Sequence, residues 1–248
     1  MLPRLSIIVP YRNRQEHLAR FVPHIATYFE RDKIDRNIPW QVVIVEQVPG
    51  KLFNRGLMRN IGFLLTEGEA DYFCFHDVDY LPIWADYQYP ATPARLCWHG
   101  AQEVPINPAR PDEVVVNDRN LFFGAVVMFN KADFRRVNGY SNDYWGWSFE
   151  DIDLRMRCVI EGLTIEHRDG TYEPLPHVND GYTGLNQPSE EHIRTRATWD
   201  RKRQEMPQTR SYLQEGLSTT QFTVRERHTA KDASGKELRH IQRVVVEV

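Results

Sequence analysis

The stretch Leu5-Ser-Ile-Ile-Val-Pro-Tyr-Arg-Asn-Arg14 decides how the chain is read. Its first half is short, apolar and rich in branched residues, the pattern of a strand buried on both faces. Its second half turns polar at once and carries two arginines. A helical pattern follows from about Gln15 to Tyr28, then a second buried strand over Trp40–Glu46, a helical pattern over Asn54–Leu65 and a third strand over Tyr72–His76. This β-α-β-α-β alternation predicts a parallel sheet with crossover helices. Ligands in such sheets gather at the carboxyl ends of the strands. The segments leaving those ends are Tyr11–Arg14, Gln47–Arg55 and Asp77–Asp79, so arginines and aspartates are expected to converge on one edge.

Beyond the third strand the pattern changes. Pro82 to Pro111 is rich in Pro, Trp and Tyr with weak periodicity, and is expected to be irregular and packed over the sheet. Phe122–Phe129 reads as a strand, and Asn130–Val137 as a short helix capped by Asn130. Glu150–Glu161 reads as a helix ended by Gly162, with Ile152, Met156, Val159 and Ile160 on one face. Thr171–Pro188 holds many turn formers and is expected to be loop. Glu190–Glu205 is a charged helix, with Arg201-Lys-Arg203 expected on a solvated face. Thr220–Arg227 and His240–Val248 are expected to pair as a hairpin around Asp232-Ala-Ser-Gly-Lys236.

The chain has 248 residues, the size of one large α/β domain or two small ones. No repeat, low-complexity tract or linker divides it, so one domain over residues 1–248 is expected. With 41% hydrophobic and 26% charged residues it falls outside the disordered class. A net charge of −3 argues against a general nucleic-acid binder, which usually carries a basic excess. Cys74, Cys97 and Cys158 are too few for a disulfide scaffold and fit a reducing compartment, with one disulfide left open. They lack metal-site spacing and read as core residues. No run approaches the roughly 18 apolar residues of a membrane span, and the start lacks a signal-peptide layout. The expectation is a soluble, cytoplasmic protein or a trimmed piece of a longer one. Membrane association would then come from surface features or a partner.

Two motifs carry chemistry. Asp77-Val78-Asp79 leaves a strand end, where two carboxylates at i and i+2 can hold a hard divalent ion against phosphate oxygens. Asp is also an ordinary turn residue. Tyr144-Trp-Gly-Trp-Ser-Phe-Glu-Asp-Ile-Asp153 places two tryptophans around a glycine, just ahead of a helix with three acids in its first turn. The helix dipole alone favours acids there. It does not explain two large aromatics around Gly146, which suit stacking on sugar rings. A carboxylate here could take a proton from a hydroxyl as a general base, and the dipole is expected to keep Asp151 ionised. Arg12, Arg14 and Arg55 could neutralise a diphosphate, or form ordinary surface ion pairs. His177 becomes a metal-ligand candidate if the fold brings its loop to Asp79; His17, His24, His76 and His99 have no comparable case. No P-loop, GxGxxG or GxSxG motif is present.

These residues, in this order, resemble the β-1,4-galactosyltransferase family, the inverting glycosyltransferases of family seven. The resemblance rests on Ile7-Ile-Val-Pro-Tyr-Arg-Asn-Arg-Gln-Glu-His-Leu18, on Phe53-Asn-Arg55 with Asn60-Ile-Gly-Phe63, and on Asp77-Val-Asp79 before Leu81-Pro82. It continues in Phe122-Phe-Gly-Ala-Val126 with Asn138-Gly-Tyr140, in Trp145-Gly-Trp147 with Glu150-Asp151, and in Glu215-Gly-Leu-Ser218. It implies a GT-A fold, a Rossmann-like α/β architecture with a mostly parallel central sheet, flanking helices and here a C-terminal hairpin. It also implies a UDP-sugar donor, a glycan or glycoside acceptor and Mn2+. Pro10, Tyr11, Arg12, Arg14, Phe53, Arg55, Asp77 and Val78 would line the donor site. Glu150 would hold donor-sugar hydroxyls, and Trp147 would ride a loop that closes over the donor. Asp79 and His177 would ligate the metal. Asp151 would be the catalytic base, with Phe122, Gly124, Trp147 and Asp151 on the acceptor side.

Three positions depart from the family pattern. Its glycine pair before the acids is Ser148-Phe149 here, its third acid is Ile152, and Phe122 stands where a tyrosine often helps to choose the donor. Galactose is the expected sugar, with UDP-GalNAc or UDP-glucose as alternative donors. The rivals from other classes are a non-catalytic binding protein on this scaffold and a metal-dependent nucleotide-sugar hydrolase. Acceptor, linkage and oligomeric state are left unassigned. The missing membrane anchor of the animal enzymes suits a bacterial or cytosolic relative.

Overall fold

A computed structural model describes residues 2–31, 38–96, 123–147, 149–176, 182–183, 187–232 and 234–248. Three parallel strands form its centre: β1 (Leu5–Tyr11), β2 (Trp40–Gln47) and β3 (Tyr72–His76), with β1 between the other two. Every residue of β1 and β3 is buried, as branched and aromatic runs covered on both faces require. Ile7 and Val9 pack beneath α1 (Gln15–Arg31) with Phe21 and Ile25, while Ile8 points the other way into the layer of α2 (Arg55–Thr66). Asn54 caps α2, its Oδ1 accepting from the Leu57 amide at 2.9 Å. Gly62 lets that helix approach β1, since a Cβ there would lie 2.3 Å from Ile8.

The eight-stranded sheet has the order β11-β12-β2-β1-β3-β6-β5-β7. The expected hairpin forms from β11 (Thr223–Lys231) and β12 (Glu237–Glu247), and β12 adds parallel to β2. On the other side β6 (Val126–Asn130) runs antiparallel to β3, followed by β5 (Ala94–Arg95) and β7 (Glu166–His167). The short helix α3 (Lys131–Arg136) is capped by Asn130 as expected.

Four expectations need correction. The segment from Pro82 is not irregular throughout: β4 (Tyr80–Ala85) pairs with β8 (Gly170–Pro174), and β5 belongs to the main sheet. Proline and aromatic content hid both, because β4 carries Pro82 beside a register shift that tolerates it. The stretch Thr171–Pro188 is likewise not all loop: it contains most of β8, together with β9 (Tyr182–Thr183) and β10 (Gln187–Pro188). Helix α4 (Glu150–Ile160) buries Glu150, Asp153, Leu154, Arg157 and Cys158, whereas Val159 is 57% exposed. Its buried face is partly ionic, which an apolar stripe cannot reveal. In α5 (Glu190–Thr209) Arg201 and Arg203 are exposed but Lys202 is buried, its Nζ 2.8 Å from Ser141 Oγ and 3.0 Å from Glu215 Oε1. Cys74 and Cys158 are buried free thiols as expected; Cys97 lies outside the described residues. Among the described residues no helix is long and apolar enough to cross a membrane.

Candidate active site

The carboxyl ends of β1, β2 and β3 open on one edge, and most of the expected residues stand there. Pro10 and Tyr11 close β1, and Asn13, at φ +53°, turns the chain between Arg12 and Arg14. The Arg12 guanidinium lies 5.1 Å over the Phe53 ring and donates to the Lys51 carbonyl at 2.6 Å. Phe53 in turn accepts, through its carbonyl, from the Gly146 amide at 2.8 Å. That bond brings the tryptophan loop onto the segment leaving β2.

The floor of the site is ionic. Arg55 Nη2 lies 3.0 Å from Glu150 Oε1. One helical turn on, Arg59 Nη2 lies 2.6 Å from Asp77 Oδ1 and its Nη1 3.5 Å from the same Glu150 oxygen. Helix α2 thus joins the end of β3 to the start of α4. Val78 is buried beside Asp77, and the Asp77 amide donates to the Ala125 carbonyl at 2.8 Å, which seats Gly124 and Ala125 against the aspartate loop. The Asp79 carbonyl accepts from the Leu175 amide at 2.7 Å.

Asp151 is half-buried in the first turn of α4. Desolvation and the neighbouring Glu150 carboxylate push its carboxyl up to about 6, against the pull of Arg55, Arg59 and the Ile152 amide. The dipole argument for a strongly ionised Asp151 is therefore outweighed by burial. The group still ionises at neutral pH, with more basicity than an exposed aspartate.

Trp147 rests on α5. Its ring lies 5.4 Å from that of His192, and its carbonyl accepts from Thr195 Oγ1 at 2.8 Å. Gly146 sits at φ +106°, where a Cβ would lie 2.7 Å from the Glu191 carboxylate. Phe122 and His177 fall outside the described residues. Among the described residues no group of three or more His, Cys, Asp or Glu side chains is placed to hold a metal. A cavity of about 480 Å³, lined by Ala26, Trp40, Leu238 and His240, lies at the opposite, amino end of β2 and contains none of the expected residues.

Motif reading missed Arg59. Its signal was its spacing: four residues after Arg55, it had to share that residue's helical face. The α5 residues behind Trp147 had no sequence signal, because only tertiary packing puts them there.

Residues 2–90 match the model of the N-terminal region of glycosyl transferase group 7, and residues 115–179 match that of the N-terminal domain of galactosyltransferase. The chain belongs to glycosyltransferase family seven. Human beta-1,4-galactosyltransferase 4 is 32% identical over 192 residues, covering 71% of this chain and 47% of the relative. Human beta-1,4-galactosyltransferase 7 is 32% identical over 182 residues, covering 71% and 51%. The chain spans about half the length of the curated relatives it matches. Among solved structures, the catalytic domain of Drosophila beta-1,4-galactosyltransferase 7, in complex with xylobiose, superposes with a TM-score of 0.72 at 22% identity, covering 100% of this chain and 94% of that one. A mutant of the fly enzyme in complex with manganese, UDP-Gal and xylobiose gives 0.69 at 22% identity, with the same coverage. The fold is the GT-A fold of family-seven transferases.

Proposed function

We propose that this chain is a single GT-A catalytic domain that moves galactose from UDP-galactose to a glycan or glycoside hydroxyl, with inversion, to form a β-linkage. The observation that carries this reading is Asp151: half-buried, raised in basicity, and set beside Glu150 and Arg55 on the edge that bears the aspartate pair. The β-1,4-galactosyltransferase relatives support galactose as the sugar. A cytoplasmic location belongs to the proposal and draws support from the free thiols Cys74 and Cys158.

Asp79 and His177 are the proposed protein ligands of a manganese ion. A carboxylate and an imidazole suit that metal. The Leu175 amide, two residues before position 177 in the sequence, donates to the Asp79 carbonyl, which supports the pairing. The Pro176 carbonyl lies 3.1 Å from His17 Nε2. Manganese bound there would offset the charge gathering on the departing UDP.

The remaining work falls to the chain itself. Pro10, Tyr11, Phe53 and Val78 would line the nucleotide, and Arg12, Arg14 and Arg55 would face the diphosphate with positive charge. Asp77 and Glu150, already fixed by arginines, would hold the donor. Trp147 would cover the donor and, with Phe122 and Gly124, shape the acceptor side, excluding water. Asp151 would take the proton from the acceptor hydroxyl as its oxygen bonds to the anomeric carbon and the bond to UDP breaks.

The test is UDP release from UDP-galactose, UDP-GalNAc and UDP-glucose with Mn2+, with and without mixed glycoside acceptors. Acceptor-stimulated release from UDP-galactose is expected. Asp151→Asn is expected to keep manganese-dependent UDP binding and to lose about 10²-fold or more in turnover. Near-normal turnover in that variant would overturn Asp151 as the base. UDP binding without release from any donor would favour the non-catalytic alternative.

A further inference from the structure

Arg59 belongs to none of the motifs that mark this site, yet it stands at the centre of the floor. It is 2% exposed and bridges the end of β3 to the first turn of α4 through Asp77 and Glu150. Its guanidinium lies 4.9 Å over the Tyr140 ring. Its Nε and the Tyr140 hydroxyl are both buried without a hydrogen-bond partner among the described residues. A buried cation is stable only where opposite charge and hydrogen bonds replace its lost water. Here that replacement comes from the two donor-side carboxylates and an aromatic face. The rigid planar fork of arginine holds two carboxylates at a fixed separation, which the compact ammonium of a lysine on its flexible stem does not reproduce.

We propose that Arg59 is the positioning residue of the donor site: one guanidinium sets the spacing between Asp77 and Glu150, and so between the metal-side strand end and the helix that carries the base. The inference rests on the roles proposed above for Asp77, Asp79, Glu150 and Asp151. It has an electrostatic corollary. The charged groups facing Asp151 are Glu150 on its own helix and Arg55 and Arg59 on α2. Removing Arg59 takes away a cation that, with Arg55, favours the Asp151 carboxylate.

Arg59→Met and Arg59→Lys test this with three measurements. These are donor kcat and KM, calorimetric affinity for UDP with Mn2+, and a carbon-13 titration of the Asp151 carboxyl, assigned with Asp151→Asn. In Arg59→Met the donor kcat/KM is expected to fall about tenfold or more, mainly through KM, and UDP affinity to fall with it. The Asp151 titration moves upward. Arg59→Lys should keep the titration near that of the parent and recover only part of the KM. A purely structural arginine would lower thermal stability and leave titration, affinity and KM alone. A folded Arg59→Met protein with kcat/KM within twofold and an unmoved titration overturns the proposal. Should that variant not fold, parental donor KM and UDP affinity in Arg59→Lys overturn it instead. If the parent protein transfers no sugar, the proposed function fails, while the titration and the UDP affinities still decide the role of Arg59.

Discussion

The ion pairs of Arg55, Arg59, Asp77 and Glu150 bridge secondary-structure elements, and each side chain is held by opposite charge. Gly146, Trp147 and Phe149 sit on a loop held by the Phe53 carbonyl and by one face of α5: the Glu191 side chain, the His192 ring, the Thr195 hydroxyl and the Arg196 guanidinium. The floor cannot shift without stranding a charge away from water, which is expensive. The loop can shift by giving up ring contacts and hydrogen bonds such as Thr195 to Trp147 and Gly146 to Phe53, each worth about 1 kcal/mol. A site that must hold a diphosphate rigidly and still admit a substrate needs both kinds of construction, and this chain puts them side by side.

The variant expected to break the comparison most severely is Arg157→Met. Arg157 is fully buried. Its Nε lies 2.6 Å from Asp153 Oδ1, its Nη2 reaches Glu215, and its Nη1 donates to the Gly139 carbonyl at 3.1 Å. Asp153 also accepts from the Tyr144 hydroxyl at 3.0 Å, which ties the network to the base of the tryptophan loop. Methionine would fill much of the volume, leave the Asp153 carboxylate without its cation and leave Glu215 with Lys202 only. A loss of about 3–5 kcal/mol is expected in urea unfolding. A loss under about 1 kcal/mol would mean that Lys202 alone satisfies Glu215 and that the floor does not depend on this foundation.

How far the sequence reached follows the same division. The three parallel strands, the aspartate loop, the Asn130 cap and the terminal hairpin were legible, because period, caps and turn residues are local signals. Strand polarity alone put Arg12, Phe53, Arg55 and Asp77 on one edge, whereas Glu150 and Asp151 stood out by their tryptophan motif and reach that edge only through the fold. The ionic face of α4 was not legible. A buried Asp153–Arg157 pair reads as solvent-facing until Glu215, 58 residues further along the chain, is brought to it. Lys202 misled for the same reason: its partners Ser141, Asp143 and Glu215 are remote in sequence. The short strands β5 and β7 have two residues each, too few for any period to show.

Asp151 lies on the floor but titrates, so pH sharpens the comparison. Its folded carboxyl sits near 6, above the ordinary aspartate value of 3.8. The folded state therefore holds the proton more tightly than the unfolded chain, and stability falls as pH rises from about 4 through about 6. Asp151→Asn removes that loss. At pH 8 it should be more stable than the parent by about 1–2 kcal/mol, less than a fully buried carboxyl would give, because water screens a half-buried group. Below pH 4 the two proteins should converge. Over the same window the parental kcat/KM should rise and then level off above about pH 6, as expected of a base that must be ionised. An equal stability difference at pH 4 and pH 8 would show that Asp151 does not titrate in this range.

The smallest expected effect tests the loop. Phe149 precedes α4 at φ +76° and ψ −12°, the left-handed region, where a residue with a Cβ carries a cost of roughly 1–2 kcal/mol. Its ring lies 5.3 Å from that of His192 and under Arg196 at 5.7 Å, and these contacts offset the backbone cost. Phe149→Ala loses the ring and keeps the cost. Phe149→Gly loses the ring and the cost together. Glycine should therefore be the more stable of the two by about 1 kcal/mol in thermal unfolding, the reverse of their order inside a helix. In both variants the amides of Gly146 and Trp147 should exchange faster, while those of α2 stay as they are, because the ring braces the loop and not the floor. Alanine equal to or better than glycine would mean that the loop leaves the left-handed conformation once the ring is gone. In that case α5, rather than the backbone at Phe149, sets where Trp147 rests.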